Sequence, residues 1–252
     1  MKTTPEELAR LMTLSAANSA HEGDFLRAWL DADVFALVPL SDDHPRQRLI
    51  MFRRPDGTLF VPLFCDVEKA LACSQGAYRL FPGSGRFLLS LSFGAVVIIN
   101  PNDEHCTLYP EEVGALLRDG HVAQLDSIKL TQNVPVLARV PASNTDWLTN
   151  PLSTLYAGLP FVESAYVVEI RPPETPNEIS LLIMIVVELA HSERASRASA
   201  TVVEPLKNPH SLPVAIVSLI RENVDHSIAK AGVRFYEGST RQEPGDDTPQ
   251  ST

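Results

Sequence analysis

The chain reads as an α+β protein of two domains, each a mixed or antiparallel sheet packed against helices. Three observations lead there. A length of 252 residues with 44% apolar content suits two cores at the usual domain size of about 100 to 150 residues. The first half opens with two amphipathic helix patterns and continues into strand patterns; the second opens helix, strand, strand. Between them, Gln132 to Ser143 carries Pro135 and Pro141 among short β-like runs. The expected division is residues 1–141, residues 142–237 and a polar tail, residues 238–252.

The first helix is expected to start at Thr4, with Pro5 at its first position and Glu7 completing a capping box. Ser19 and Glu22 repeat that spacing. Phe25 and Trp29, with Leu26 and Leu30, then fall one turn apart on one face of a second helix. Val34 to Leu40, Leu49 to Arg53 and Leu59 to Phe64 read as strands of a meander, the last two joined at Pro55-Asp56-Gly57, whose Asp-Gly step is a strong hairpin signal. Asp66 caps a short helix through Cys73. Pro82-Gly83-Ser84-Gly85 reads as a turn before the apolar segment Phe87 to Leu91. Ala95 to Ile99 is apolar throughout, as in a central strand covered on both faces. Pro110-Glu111-Glu112 opens a helix that Gly120 closes in a left-handed cap.

In the second half, Asp146 to Ala157 reads as helix, and Phe161 to Arg171 and Ile179 to Leu189 as strands around the turn residues Pro172, Pro173 and Pro176. Ser192 to Lys207 reads as helix and Val214 to Leu219 as strand or helix. Glu222 to Ala231 is a short helix stopped by Gly232. Gly238 to Thr252 holds no apolar residue, so ordering it is not offset by burial and disorder is expected.

Charge and hydropathy remove several function classes. The net charge of −10 is spread over both halves, 13 basic against 17 acidic residues up to Pro141 and 8 against 14 beyond it. Without clustered Lys and Arg, nucleic acids and anionic membrane surfaces are disfavoured partners. A basic or apolar protein partner, or a second copy in a homo-oligomer, is easier to accommodate. The longest apolar run, Leu181 to Val187, is too short to span a bilayer. The opening Met1 to Glu7 lacks the apolar segment of a secretory signal, which makes the cytoplasm the expected location.

No catalytic, cofactor or metal constellation emerges. Cys65, Cys73 and Cys106 form no C-x-x-C pair and read as small buried hydrophobes. His21, His44, His105, His121, His191, His210 and His226 are scattered, and His105-Cys106 is the one adjacent pair of soft ligands. Glu6-Glu7, Asp42-Asp43 and Glu111-Glu112 sit at helix starts or turns, where they complement the helix dipole or stay solvated. Gly83-Ser84-Gly85-Arg86 offers backbone N–H groups and a guanidinium to an anion, against the plainer reading of a tight connection. Arg46, Arg48, Arg53 and Arg54 flank a strand and read as charge guarding a sheet edge. Phe235 and Tyr236 either dock the last segment onto the core or form a recognition patch.

Three stretches together resemble the enhanced serine sensitivity protein SseB family. They are His21 to Leu30 with Asp33-Val34-Phe35, then Asp56-Gly57-Thr58 leading to Val61-Pro62-Leu63-Phe64, and Phe235-Tyr236-Glu237. The resemblance departs at Cys65-Asp66, where the family shows a small hydroxyl pair, and at Arg234, where it shows a proline. It implies a soluble bacterial protein with an N-terminal and a C-terminal SseB domain and no established reaction, so no catalytic residue carries over. The same name is used for an unrelated type III secretion component. The expectation is therefore a non-catalytic cytoplasmic interaction or regulatory protein. An enzyme or small-molecule binder with a site between the domains, and a secretion-associated accessory, are the alternatives.

Overall fold

The computed structural model describes residues 3–41, 47–92, 94–123, 137–171, 178–220 and 230–238. The chain divides into two compact units, Met1–Ser127 and Ile128–Thr252. The expected tail, the Pro172–Pro176 turn and most of the helix expected from Glu222 lie outside the described residues.

In the first unit, helix α1 (Pro5–Ala17) starts as expected, with the Thr4 hydroxyl accepting the Glu7 N–H at 3.3 Å. The Glu7 carboxylate turns to Arg10 rather than back to the cap, so the expected reciprocal box is replaced by an ion pair along the helix. The second cap shifts by one residue. Asn18 accepts the Ala20 N–H at 3.0 Å, Ser19–His21 form a 3-10 turn, and α2 follows over Glu22–Asp31. Phe25, Leu26, Trp29 and Leu30 are all buried, each burial stabilising by roughly 1.5–3 kcal/mol.

The strands are β1 (Asp33–Val38), β2 (Phe52–Arg53), β3 (Leu59–Phe64), β4 (Arg79–Ser84), β5 (Val96–Ile99) and β6 (Cys106–Leu108). Their order is β4-β1-β3-β5-β6, with β2 paired to β3. The meander expected from the sequence is replaced by a mixed sheet: β1 is flanked by β3 and β4, and β5 runs parallel to β3. Pro82-Gly83-Ser84 is not a turn but the end of strand β4, with Gly83 opposite Val34 and Ser84 opposite Asp33. Strand β4 lies at the sheet edge, where proline costs no interior ladder bond.

Alternation on the strands places two cores on opposite faces. Val34 and Ala36 of β1, Val61 and Leu63 of β3, and Val97 and Ile99 of β5 join the apolar faces of α1, α2, α4 (Gly85–Leu91) and α5 (Pro110–Asp119). Leu37 and Phe64 point the other way, to Ala70 of α3 (Val67–Ser74), which Asp66 caps through the Lys69 N–H at 2.8 Å. Strand β5 is buried throughout, as its apolar run requires. Gly120 caps α5 with φ +78°, a left-handed conformation that glycine adopts without strain.

In the second unit, α6 (Asp146–Ala157) and α7 (Ser192–Val203) cover one face of a sheet ordered β10-β9-β8-β11, with β7 also on β8. The strands are β7 (Leu137–Arg139), β8 (Val162–Arg171), β9 (Ser180–Val187), β10 (Val214–Ile220) and β11 (Val233–Glu237). Strand β7, upstream of Pro141, belongs to this sheet. Val214 to Ile220, open to either reading in the sequence, is a strand parallel to β9. Leu181, Ile183, Ile185 and Val187 face the helices, while Leu182 and Met184 face the other side with Val168.

Candidate functional site

Parallel strands place their carboxyl ends together, and that end of a sheet is where ligands commonly bind in open α/β folds. In the first unit, β3 ends at Phe64 and β5 at Ile99, which brings Cys65, Asp66, Asn100 and Asp103 to one place beside Lys69 of α3. Asn100 is buried with φ +53° and ties several elements together. Its N–H donates to Leu63 O at 2.8 Å, its side-chain oxygen accepts the Cys65 N–H at 3.0 Å, and its amide N–H reaches the Met12 sulfur at 3.4 Å. Lys69 Nζ lies 2.8 Å from an Asp103 oxygen and 3.8 Å from an Asp66 oxygen. Around this cluster, Thr13 donates to Glu104 at 2.8 Å and the Cys106 thiol to Glu22 at 3.6 Å.

Burial and ion pairing set the charge states of the cluster. Burial pushes the Cys65 thiol up to about 12, against smaller opposing effects from Asn100 and Lys69, so it is a neutral thiol near pH 7. Burial also raises Cys73. For Lys69, partial burial favours the neutral amine but is outweighed by Asp103 and Asp66, so its pKa is raised and it stays a cation. The cluster therefore holds a protonated thiol, an ammonium paired with the Asp103 and Asp66 carboxylates, and an amide that holds backbone. Among the described residues no three His, Cys, Asp or Glu side chains are placed to hold a metal ion.

Sequence reading missed Asn100. The available signal was Asn100-Pro101-Asn102-Asp103, a turn-forming run directly after a buried apolar strand.

Gly83-Ser84-Gly85-Arg86 is tied into the protein at three of its groups. Gly85 N–H donates to Ala32 O at 3.2 Å, the Ser84 hydroxyl accepts the Phe87 N–H at 3.2 Å, and Arg86 reaches Leu117 O at 3.0 Å. A Cβ on Gly85 would fall 2.3 Å from Trp29 O, so the glycine here permits close packing of α4 on α2. Of the arginines near the hairpin, Arg53 donates to Gly57 O at 3.0 Å and Arg54 lies over the Phe60 ring.

Residues 8–115 match the family model described as the SseB protein N-terminal domain. The first unit is an SseB domain. The carboxyl-end cluster and the Gly83–Arg86 segment therefore both lie in the SseB domain. Neither a curated protein nor a solved structure matches the chain.

Outside the SseB domain, Phe235 and Tyr236 come together with Tyr156 of α6. Their rings lie 6.1 and 5.5 Å from the Tyr156 ring, Tyr236 Oη donates to Tyr156 O at 2.9 Å, and Ser153 Oγ donates to Phe235 O at 3.3 Å. Adjacent residues on a regular strand face opposite ways. The irregularity between Arg234 and Tyr236 in the β11–β8 pairing lets both aromatics reach the helix-side core. Burial raises the pKa of Tyr156, whose hydroxyl pairs with Ser199 at 2.9 Å.

A second polar cluster centres on Glu169 of β8, which is 3% exposed. Arg139 and Arg171 reach one of its oxygens, the closest Arg171 approach being 2.9 Å, and the Ala142 N–H donates to the other at 3.0 Å. Burial raises the carboxyl pKa but is outweighed by Ala142, Arg171 and Arg139, leaving it below its ordinary value. A fully partnered carboxylate of this kind is a tie between strands.

Proposed function

We propose that this SseB-domain chain is a non-catalytic protein of the cytoplasm that acts by binding another protein, with residues 142–237 as its C-terminal SseB domain. One observation carries the reading: the SseB domain leaves apolar pairs exposed at one-turn spacing. Phe87 and Leu91 on α4 are 46% and 36% exposed, with the Phe87 ring 6.2 Å from that of Phe81. Val67 and Leu71 on α3 are 44% and 54% exposed. Isolated exposed apolar residues are ordinary, whereas an aromatic and a leucine paired beside a second aromatic make the kind of anchor that protein interfaces use.

The electrostatics support the same reading, since burial keeps the Cys65 and Cys73 thiols protonated and Lys69 is paired with Asp103 and Asp66. Among the described residues no helix is long and apolar enough to cross a membrane. The test is capture from native lysate with the full chain and with Phe87→Ser/Leu91→Ser. A partner held by the first and reduced at least tenfold with the second, at unchanged far-UV circular dichroism and melting temperature, supports the reading. Equal capture by both, or no capture by either, refutes it.

A further inference from the structure

Among the described strands the sheet edges are guarded, with β10 as the exception. Strand β4, at one end of the first sheet, carries Arg79, Pro82 and Gly83, and β6 at the other end is only three residues long. In the second sheet, β11 carries Arg234, Glu237 and a pairing irregularity, and β7 carries Arg139 and is also three residues long. Charge, proline, bulges and shortness are the devices by which edge strands avoid pairing with other chains. Strand β10, Val214-Ala215-Ile216-Val217-Ser218-Leu219-Ile220, has none of them.

Its composition is that of an interior strand. Val214 and Ile216 join the core under the helices, and Ala215, Val217 and Leu219 join the cluster on the opposite face. Strands apolar on both faces are normally flanked on both sides, as β9 is by β8 and β10. Among the described residues β10 pairs with β9 alone, and all seven of its residues are partly exposed.

We propose that β10 is the interface of a symmetric homodimer, pairing antiparallel with β10 of a second copy about a twofold axis near Val217. In a twofold interface residue i meets j as j meets i, and a residue on the axis meets its own counterpart, so a charge near the axis would lie close to its own copy. Strand β10 has no charge to repel. Pairing about Val217 sets Val214 against Ile220, Ala215 against Leu219 and Ile216 against Ser218. Each of these pairs joins residues of the same face, so the Ala215, Val217 and Leu219 face continues as an apolar surface across the axis, and the helix-side face continues with Ser218 as its one polar member. Antiparallel pairing is also slightly the more stable kind. The inference concerns the second unit and stands independently of the binding reading for the SseB domain.

Sedimentation of the full chain between micromolar and hundred-micromolar loading tests it, together with thiol cross-linking of Val217→Cys in a Cys73→Ser background. Residues opposed in an antiparallel pair lie about 4.5–5.5 Å apart between Cα atoms, well within reach of a short bis-maleimide. The expected result is a mass of twice 27.6 kDa and a covalent dimer from Val217→Cys but not from Asn150→Cys, on the exposed side of α6. Should Val217→Cys fail to fold, amide exchange of residues 214–220 in the unmodified chain replaces it, and protection must rise with concentration. A 27.6 kDa species at every loading overturns the proposal. So does a dimer that neither cross-links at residue 217 nor protects β10.

Discussion

Cys65 shows how position decides chemistry at the scale of one residue. It follows a buried strand, its backbone N–H is held by Asn100, and its sulfur is enclosed next to Trp29, so the thiol keeps its proton far above neutrality. The sign of the consequence follows from linkage. A group whose folded pKa is raised stabilises the fold below its unfolded value and loses that contribution as pH rises through the folded value. Stability should therefore fall between an ordinary thiol value of 9.0 and about 12, a window in which the unfolded chain releases a proton that the folded chain retains. Urea unfolding at pH 8 and pH 10.5 checks it. Cys65→Ala should weaken the dependence and leave a remainder from Tyr156, whose phenol is also raised by burial. A slope unchanged by Cys65→Ala contradicts the assignment.

At the scale of elements, what was legible in the residues were features with short-range causes. The Thr4 and Asp66 caps and the Gly120 stop follow from residues within four positions of where they act. The four-residue spacing of Phe25 and Trp29 identified the buried face of α2 for the same reason. Pairing was not legible, because it depends on partners far along the chain. Nothing near Pro82 and Gly83 announces that β1 lies beside them, and so an edge strand was read as a turn. Of the candidate site, the Phe235–Tyr236 pair was visible as residues, but its docking on Tyr156 depends on the irregularity in the β11–β8 pairing. Asn100 went unread because its role lies in contacts with residues 88 and 35 positions away.

The tie between β7 and β8 gives a prediction at this scale. Glu169 holds its carboxyl below the ordinary range, so it stabilises the fold above about pH 4.3 and loses that contribution as pH falls through the lower folded value. Glu169→Gln should flatten the acid limb of the stability profile. It should also cost about 1–3 kcal/mol at pH 7, since Arg139 and Arg171 lose their shared charge while staying partly solvated. Chemical unfolding at pH 3.5 and pH 7 measures both, and an unchanged acid limb would show that the carboxylate does not bind the strands.

The molecule is two α+β units, and among the described residues many polar side chains serve caps, turns and strand ties. Among the exposed apolar side chains, Val67 with Leu71 on α3 and Phe87 with Leu91 on α4 fall in one-turn pairs, and β10 is partly exposed along its length. On the proposed binding role, substitutions on these surfaces change capture of a partner and leave the fold intact. The most direct test is the melting temperature of the purified chain against a panel of amino acids, nucleotides and small anions. A ligand bound to the folded chain at a hundredfold excess over Kd adds about 2.7 kcal/mol of stability, a shift of several degrees for a chain of this size. The account predicts that no compound moves the melting temperature beyond a control of equal ionic strength, and a saturable rise with any one of them would contradict it.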